Sequence, residues 1–168
     1  MPGMSEPITV VVVDDHPFFR DGVTRGLVNS GYMKVVGEAG DGREGLELIA
    51  GEHPDVALVD YQMPDLDGMD VVHAVVRDRL PTRVLLLSAV TDSAVVYRAL
   101  QEGAAGYLAK DANRPEIVEA VRRVARGETV LRGFSRGRSI PQLAAKLFLG
   151  AEHGQDPYPA VVREARGV

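Results

Sequence analysis

Short, almost wholly apolar segments recur along the first 110 residues, and most of them end in a charged residue or a hydroxyl. Because they lack the alternation of apolar and polar positions, they are typical of strands buried on both faces of a parallel sheet. These segments are residues 8–13, 56–60, 84–88 and 106–110. A further segment, residues 35–39, is less apolar and predicts an edge strand.

The stretches between these segments place apolar residues at the three- and four-residue spacing of amphipathic helices. Helix boundaries are marked by Asp67 and Asp92 as N-caps, by Pro115 in a first turn, and by Gly103 and Gly127 as stops. Five strands therefore alternate with five helices. Strict alternation of this kind predicts an α/β fold, with a doubly wound, five-stranded parallel sheet in three layers, α/β/α.

The composition is that of an ordinary globular protein of about one domain: 168 residues, 45% hydrophobic, with a formal net charge of −5. The acidic balance argues against a protein that wraps nucleic acid. The chain has no cysteine, which excludes disulfides and thiolate zinc sites. No segment has the features of an export signal or the length of a membrane span, which favours a soluble, cytoplasmic protein. The four histidines are dispersed and are interpreted as surface or packing residues: His16, His53, His73 and His153.

Charged and hydroxyl side chains stand at the carboxyl ends of four predicted strands: Asp14 with Asp15, Asp60, Ser88 and Lys110. In a parallel sheet these ends share one edge, where ligands bind in open α/β folds. Three carboxylates in one cleft repel one another unless they share a cation, and Mg²⁺ suits a site made of oxygen ligands. The lysine is a movable point charge that would meet a phosphoryl group, and the serine would donate a hydrogen bond to it.

These strand-end residues and the loop after the third strand resemble a known family, the receiver domains of two-component response regulators. The resemblance covers residues 8–131 and depends on Asp14-Asp15, Asp60 with Met63-Pro64 and Asp67-Gly68, Ser88 and Lys110. It implies a flavodoxin-like sheet with the strand order 2-1-3-4-5. Residues 14–17 and 104–112 resemble the NarL/FixJ branch of the family, whose output domains are of the LuxR type and bind DNA.

The resemblance implies that Asp60 accepts a phosphoryl group from the phosphohistidine of a sensor histidine kinase, or from a small phosphodonor. It also implies a Mg²⁺ site in which Asp15 and Asp60 bind the ion directly, together with the backbone carbonyl of Gln62, while Asp14 acts through water. The protein would be a signalling phosphoacceptor rather than an enzyme, and would catalyse only its own phosphorylation and dephosphorylation.

In the same family pattern, Ser88 and Lys110 hold the phosphoryl oxygens, and Tyr107 swings inward as Ser88 moves. The function implied is that of a response regulator that switches an output face and regulates transcription, with a homodimer as one form in which it would act. The alternative is a stand-alone, receiver-like interaction module that does not bind DNA itself.

Two other classes of protein share part of this pattern. A haloacid-dehalogenase-type phosphatase also uses a strand-end aspartate and Mg²⁺, but it expects Asp-x-Asp after the first strand, where this chain has Asp14-Asp15-His16. A flavodoxin-like cofactor binder needs a loop rich in glycine and hydroxyls, whereas the two acids here would repel a cofactor phosphate. Turnover of a phosphate ester would favour the first class, and a yellow bound chromophore the second.

The composition changes after Leu131, which divides the chain into an N-terminal extension (1–7), a receiver domain (8–131) and a tail (132–168). Residues 139–149 resemble the scaffold helix of a LuxR-type helix-turn-helix. The helix that should follow and contact DNA is interrupted by Gly154, Pro157 and Pro159. The tail is therefore predicted to be a degenerate or truncated output. Weak, salt-sensitive attraction to DNA is expected from its arginines, but not sequence-specific binding.

Overall fold

The computed structural model describes residues 6–90 and 92–132, which form one parallel sheet with helices packed on both faces. Predictions that concern the first five residues, or residues 133–168 of the helix-turn-helix-like tail, lie outside this range. No helix within the described range is long and apolar enough to cross a membrane.

The described residues form six strands and five helices in alternation. In chain order these are β1 (Ile8–Val13), α1 (Pro17–Asn29), β2 (Met33–Ala39), α2 (Gly42–Glu52), β3 (Val56–Asp60), α3 (Gly68–Arg77), β4 (Arg83–Ser88), α4 (Ser93–Gln101), β5 (Gly106–Ala109), α5 (Arg114–Ala125) and β6 (Val130–Arg132). The strands lie in the order β2-β1-β3-β4-β5-β6, and all neighbours are parallel. The three-layer α/β fold and the order of the first five strands are confirmed.

The prediction of five strands is wrong by one, because β6 adds a short parallel strand beside β5. Gly106 pairs with Val130, and Leu108 pairs with Arg132. Three residues are too few to show the period of a strand, and the change in composition near Leu131 indicated a domain boundary at the same place. The predicted domain boundaries, including the one near Leu131, stay predictions.

The sheet has a hydrophobic core on each face, and alternate residues of the central strands supply both cores. Along β1, Val11 and Val13 belong to one core, whereas Val10 and Val12 belong to the other. All five residues of β3 are buried, including Asp60 at its end. Burial on both faces explains why these strands are apolar without alternation.

Side-chain caps fix where the helices on the carboxyl side of the sheet begin. Asp67 accepts a hydrogen bond from the Asp70 backbone amide at the start of α3, and Asp92 accepts one from the Ala94 amide at the start of α4. Pro115 lies in the first turn of α5. These predicted helix starts are confirmed, and each cap satisfies an amide that the helix itself leaves unpaired.

Gly68, the first residue of α3, allows this helix to approach the end of β3 closely. A Cβ atom at this position would lie 2.8 Å from the Asp60 carbonyl oxygen, from Tyr61 Cα and from Leu86 Cδ2. The Gly68 amide donates a hydrogen bond to the Tyr61 carbonyl at 2.9 Å. The close contact therefore helps to hold the backbone that carries Asp60.

We expect Gly68→Ala to lower the free energy of unfolding by about 1–3 kcal/mol, because the added methyl group would push the backbone of α3 away from β3. The control is Gly51→Ala, at an exposed position of α2 where a Cβ meets no atom within 4 Å. That control should raise stability by up to about 1 kcal/mol, since alanine loses less backbone entropy in a helix. Urea unfolding followed by circular dichroism measures both, and equal behaviour of the two variants would contradict the contact.

Candidate functional site

Buried charged groups meet at the carboxyl edge of the sheet. Asp14 follows β1, Asp60 ends β3, and each residue is only 2% exposed. Lys110, which follows β5, brings its Nζ atom to 3.0 Å from Asp60 Oδ2 and 3.1 Å from Asp14 Oδ2. The structure thus brings together residues that are as much as 96 positions apart in the sequence, as expected for the ends of neighbouring parallel strands.

The pKa values of Asp60 and Lys110 reflect this crowding. Burial raises the pKa of the Asp60 carboxyl above its usual range, the hydrogen bond from Lys110 opposes the rise, and the charge of Asp14 adds to it. Burial alone would lower the pKa of Lys110, but its contacts with Asp60 and Asp14 raise it overall. The lysine therefore stays protonated at neutral pH, whereas ionised Asp60 is held at an energetic cost.

The acidic cluster comprises the side chains of Asp14, Asp15, His16 and Asp60, each of which places a donor atom within 4.8 Å of the others. Among the described residues, Asp14 Oδ2 and Asp15 Oδ1 are buried without a hydrogen-bond partner. Asp14 Oδ2 nevertheless faces the Lys110 ammonium group in an ion pair of 3.1 Å, so one cation already lies against the cluster. Unsatisfied buried carboxylate oxygens are costly unless a cation or donor meets them, so this donor set fits a hard divalent ion such as Mg²⁺.

Gln62 lies beside the cluster in the loop after β3. Its backbone amide donates a hydrogen bond to Asp60 Oδ1 at 3.3 Å. The amide thus holds one oxygen of Asp60 while Lys110 holds the other. The role of the Gln62 carbonyl as a metal ligand stays a prediction.

His16 is a member of the cluster that sequence reasoning missed. The expectation of a surface residue describes its exposure, since its side chain is 62% exposed, but its Nδ1 atom points into the site. Nδ1 lies 3.0 Å from Asp14 Oδ1 and 3.1 Å from Asp15 Oδ1. The available signal was its position directly after the acidic pair in the sequence.

Ser88 and Tyr107 lie beside the cluster and are linked through the backbone of Val90. The Val90 amide donates a hydrogen bond to Ser88 Oγ, and the Tyr107 hydroxyl donates one to the Val90 carbonyl, both at 2.8 Å. Tyr107 is fully buried, and burial raises its pKa to about 12. The aromatic side chain expected to swing inward is thus already inward in this structure.

Comparison with known proteins identifies the family. A model of the response regulator receiver domain matches residues 10–122 of the chain. The chain belongs to the response regulator receiver domain family. The solved signal receiver domain of NarL from Mycobacterium tuberculosis matches this receiver with a TM-score of 0.72 and 57% identity, over 74% of this chain and 100% of that one.

Two curated relatives are full-length regulators. The transcriptional regulatory protein NarL of Mycobacterium tuberculosis strain H37Rv is 57% identical over 126 residues, which cover 75% of this chain and 58% of that protein. The nitrate/nitrite response regulator NarL of Escherichia coli K12 is 36% identical over 142 residues, or 84% of this chain and 64% of that protein. The resemblance to the NarL branch is confirmed. This chain spans about three fifths of the length of these relatives.

The raised pKa of Asp60 has a consequence for stability. A carboxyl whose pKa is raised on folding stabilises the fold only while protonated, so its ionisation removes stability as pH rises through the folded-state pKa. We expect Asp60→Asn to raise the urea midpoint at pH 7 in the presence of a chelator. The gain should vanish below the ordinary aspartate pKa of 3.8, where the carboxyl is neutral in both states.

The matched control for this stability measurement is Asp65→Asn. Asp65 is exposed, and its backbone φ of 67° is one that asparagine tolerates. The control removes the same formal charge from the surface, so its unfolding free energy should change by no more than about 0.5 kcal/mol. If the urea midpoint of Asp60→Asn at pH 7 is at or below that of the unsubstituted protein, the expected cost of ionising Asp60 in the folded state is contradicted.

Proposed function

We propose that Asp60 is the phosphoacceptor of this response regulator. The observation that carries the proposal is the contact of 3.0 Å between buried Asp60 Oδ2 and Lys110 Nζ at the carboxyl edge of the sheet. An oxygen of Asp60 would attack the phosphorus of phosphohistidine on a sensor histidine kinase, or of a small phosphodonor. The phosphorus–nitrogen or phosphorus–oxygen bond of the donor then breaks, and its electron pair leaves with the donor group.

Mg²⁺ would neutralise the negative charge that develops on the phosphoryl oxygens during the transfer. Asp15 and Asp60 would hold the ion directly with the carbonyl of Gln62, and Asp14 would act through water. Lys110 carries a charge that meets the same oxygens from the protein side. Two unsatisfied carboxylate oxygens and the net negative charge of the cluster support this assignment.

Ser88 and Tyr107 would carry the signal away from the site. Ser88 is buried, and its Oγ accepts a hydrogen bond from the Val90 amide. When it turns to donate to a phosphoryl oxygen, it would pull on the same backbone segment that the Tyr107 hydroxyl holds. The surface around α4 and β5 would change as a result, which is how a local charge event shifts a two-state equilibrium.

The wider function follows from the relatives and is a proposal for this chain. It would act in the cytoplasm as a regulator of transcription that receives its phosphoryl group from a sensor histidine kinase, and it would form a homodimer. Specific binding of DNA by residues 132–168 is not expected. An interaction module that passes the signal to another protein is the alternative.

Incubation with acetyl phosphate and Mg²⁺ should add one phosphoryl group to the chain, measured as an increase in intact mass. Asp60→Asn should abolish the adduct, because the attacking carboxylate oxygen is gone. Asp65→Asn, the exposed control in the same loop, should be modified at the rate of the unsubstituted protein. Chelation of the metal should stop the reaction in the unsubstituted protein and in Asp65→Asn.

Persistence of the adduct in Asp60→Asn would show that another residue is the acceptor. An undiminished rate in excess chelator would exclude the metal from the transfer.

Beryllofluoride with Mg²⁺ mimics the phosphoryl group and should shift the backbone amide signals of Ser88, Val90 and α4 in nuclear magnetic resonance spectra. Tyr107→Phe keeps the ring but removes the hydrogen bond to the Val90 carbonyl. In that variant, the shifts near Asp60 should remain and those in α4 should shrink. Unchanged α4 signals in the unsubstituted protein would refute the switch.

A further inference from the structure

The aromatic ring of Phe19 lies against the ammonium group that the carboxylates of the site share. Phe19 belongs to the first turn of α1, and Lys110 Nζ lies over its ring, 4.7 Å from the ring centroid. The face of an aromatic ring attracts a cation within about 6 Å of its centroid. The contact is therefore a cation–π interaction, made by the same ammonium group that contacts Asp14 and Asp60.

Two consecutive phenylalanines lie in the first turn of α1, and their surroundings differ. Phe18 is 95% exposed. Phe19 is partly buried and packs against the hydrophobic core that contains Val10 and Val12. Because the core and the helix both hold the Phe19 side chain, its ring presents a fixed face to the lysine.

Lys110 is anchored at its backbone and movable at its tip. Its backbone amide donates a hydrogen bond of 2.8 Å to the Ser88 carbonyl, which ties the main chain to β4. The four-carbon stem is flexible, and the side chain is 18% exposed. The ammonium group therefore needs contacts that keep it at the site rather than in solvent.

The ring attracts the ammonium group through the charge distribution of its face rather than through an oxygen lone pair. The N–H groups of Lys110 thus remain able to turn from Asp60 to the oxygens of an incoming phosphoryl group. A further carboxylate in place of the ring would compete with the phosphoryl oxygens for these donors. A cation held by Asp14 and Asp60 would weaken their attraction for the ammonium group, whereas the uncharged ring would keep its own.

We propose that Phe19 is a positioning residue for phosphoryl transfer to Asp60. Its ring holds the Lys110 ammonium group beside the acceptor oxygen, so the flexible stem is ordered before the phosphoryl group arrives. Phe19 acts through Lys110 rather than on the phosphoryl group. This inference rests on the proposed acceptor role of Asp60, and it adds the residue that keeps the lysine at the site.

Initial rates of phosphorylation by acetyl phosphate and Mg²⁺, measured by intact mass, test this role without a kinase. Phe19→Leu keeps an apolar side chain but removes the ring, so the rate should fall about three- to tenfold, as expected for loss of a partly desolvated cation–π contact. Phe19→Tyr keeps the ring and should react within about twofold of the unsubstituted rate. Phe18→Leu is the matched control at the exposed neighbour and should react like the unsubstituted protein.

Fluorinated phenylalanines at position 19 separate the electrostatic role from packing. Each ring fluorine withdraws negative charge from the face of the ring but adds little volume. The logarithm of the rate should therefore fall stepwise as the number of fluorines increases. A rate that does not depend on fluorination would show that Phe19 only fills the core, and it would overturn the proposal.

Proton nuclear magnetic resonance tests the contact itself. The Cε protons of Lys110 lie next to the ammonium group over the ring, so their signals should be shifted upfield from those of Lys34, an exposed lysine of β2. The shift should persist in Phe19→Tyr and Phe18→Leu and disappear in Phe19→Leu. Absence of the upfield shift in the unsubstituted protein would contradict the contact.

The outcomes distinguish this inference from the proposed function. If the adduct forms and requires Asp60, but Phe19→Leu reacts at the unsubstituted rate, the acceptor role stands and the positioning role fails. If no adduct forms on the unsubstituted protein, the acceptor role fails, and the positioning role fails with it.

Discussion

Two buried carboxylates, Asp14 and Asp60, share the ammonium group of Lys110 at the carboxyl edge of the sheet. With Asp15, whose side chain is 29% exposed, three carboxyl groups face one ammonium group, and two of the three are buried. Burying an unbalanced charge is among the largest local costs that a fold can carry. The proposed divalent cation would relieve this cost and so would link the stability of the edge to its chemistry.

The hydrophobic sheet makes this arrangement possible. Val13 of β1 pairs with Val59 of β3, so the next residue of each strand, Asp14 and Asp60, emerges at the same level. Both strands are buried on their two faces, and a shift of register would move every side chain of a strand to the opposite core. The cores therefore determine the separation of the carboxylates.

The sequence predicted the strands that are buried on both faces, the helix starts at Asp67 and Asp92, and the edge at which charged residues meet. These features depend on the local spacing of apolar residues and on the direction of the chain, and both can be read from the amino-acid sequence. β6 was missed because three residues carry no period. The inward position of Tyr107 was missed because it depends on a contact with the Val90 backbone, 17 residues away. The direction of the His16 ring was missed because contacts with the side chains of Asp14 and Asp15 in the turn before α1 determine it.

Two parts of the fold beside the acidic cluster are held by hydrogen bonds: the segment before α4 and the first turn of α1. On one side, Ser88 and Tyr107 hold the Val90 backbone just before α4. On the other side, the Arg20 guanidinium of α1 donates to the Asp14 carbonyl at 2.7 Å, one turn after His16. If Asp60 is phosphorylated as proposed, the change of charge would be felt both by this hydrogen-bonded loop and by the first turn of α1. Both are discrete hydrogen-bonded arrangements rather than soft packing, and such arrangements convert a small local shift into an alternative conformation.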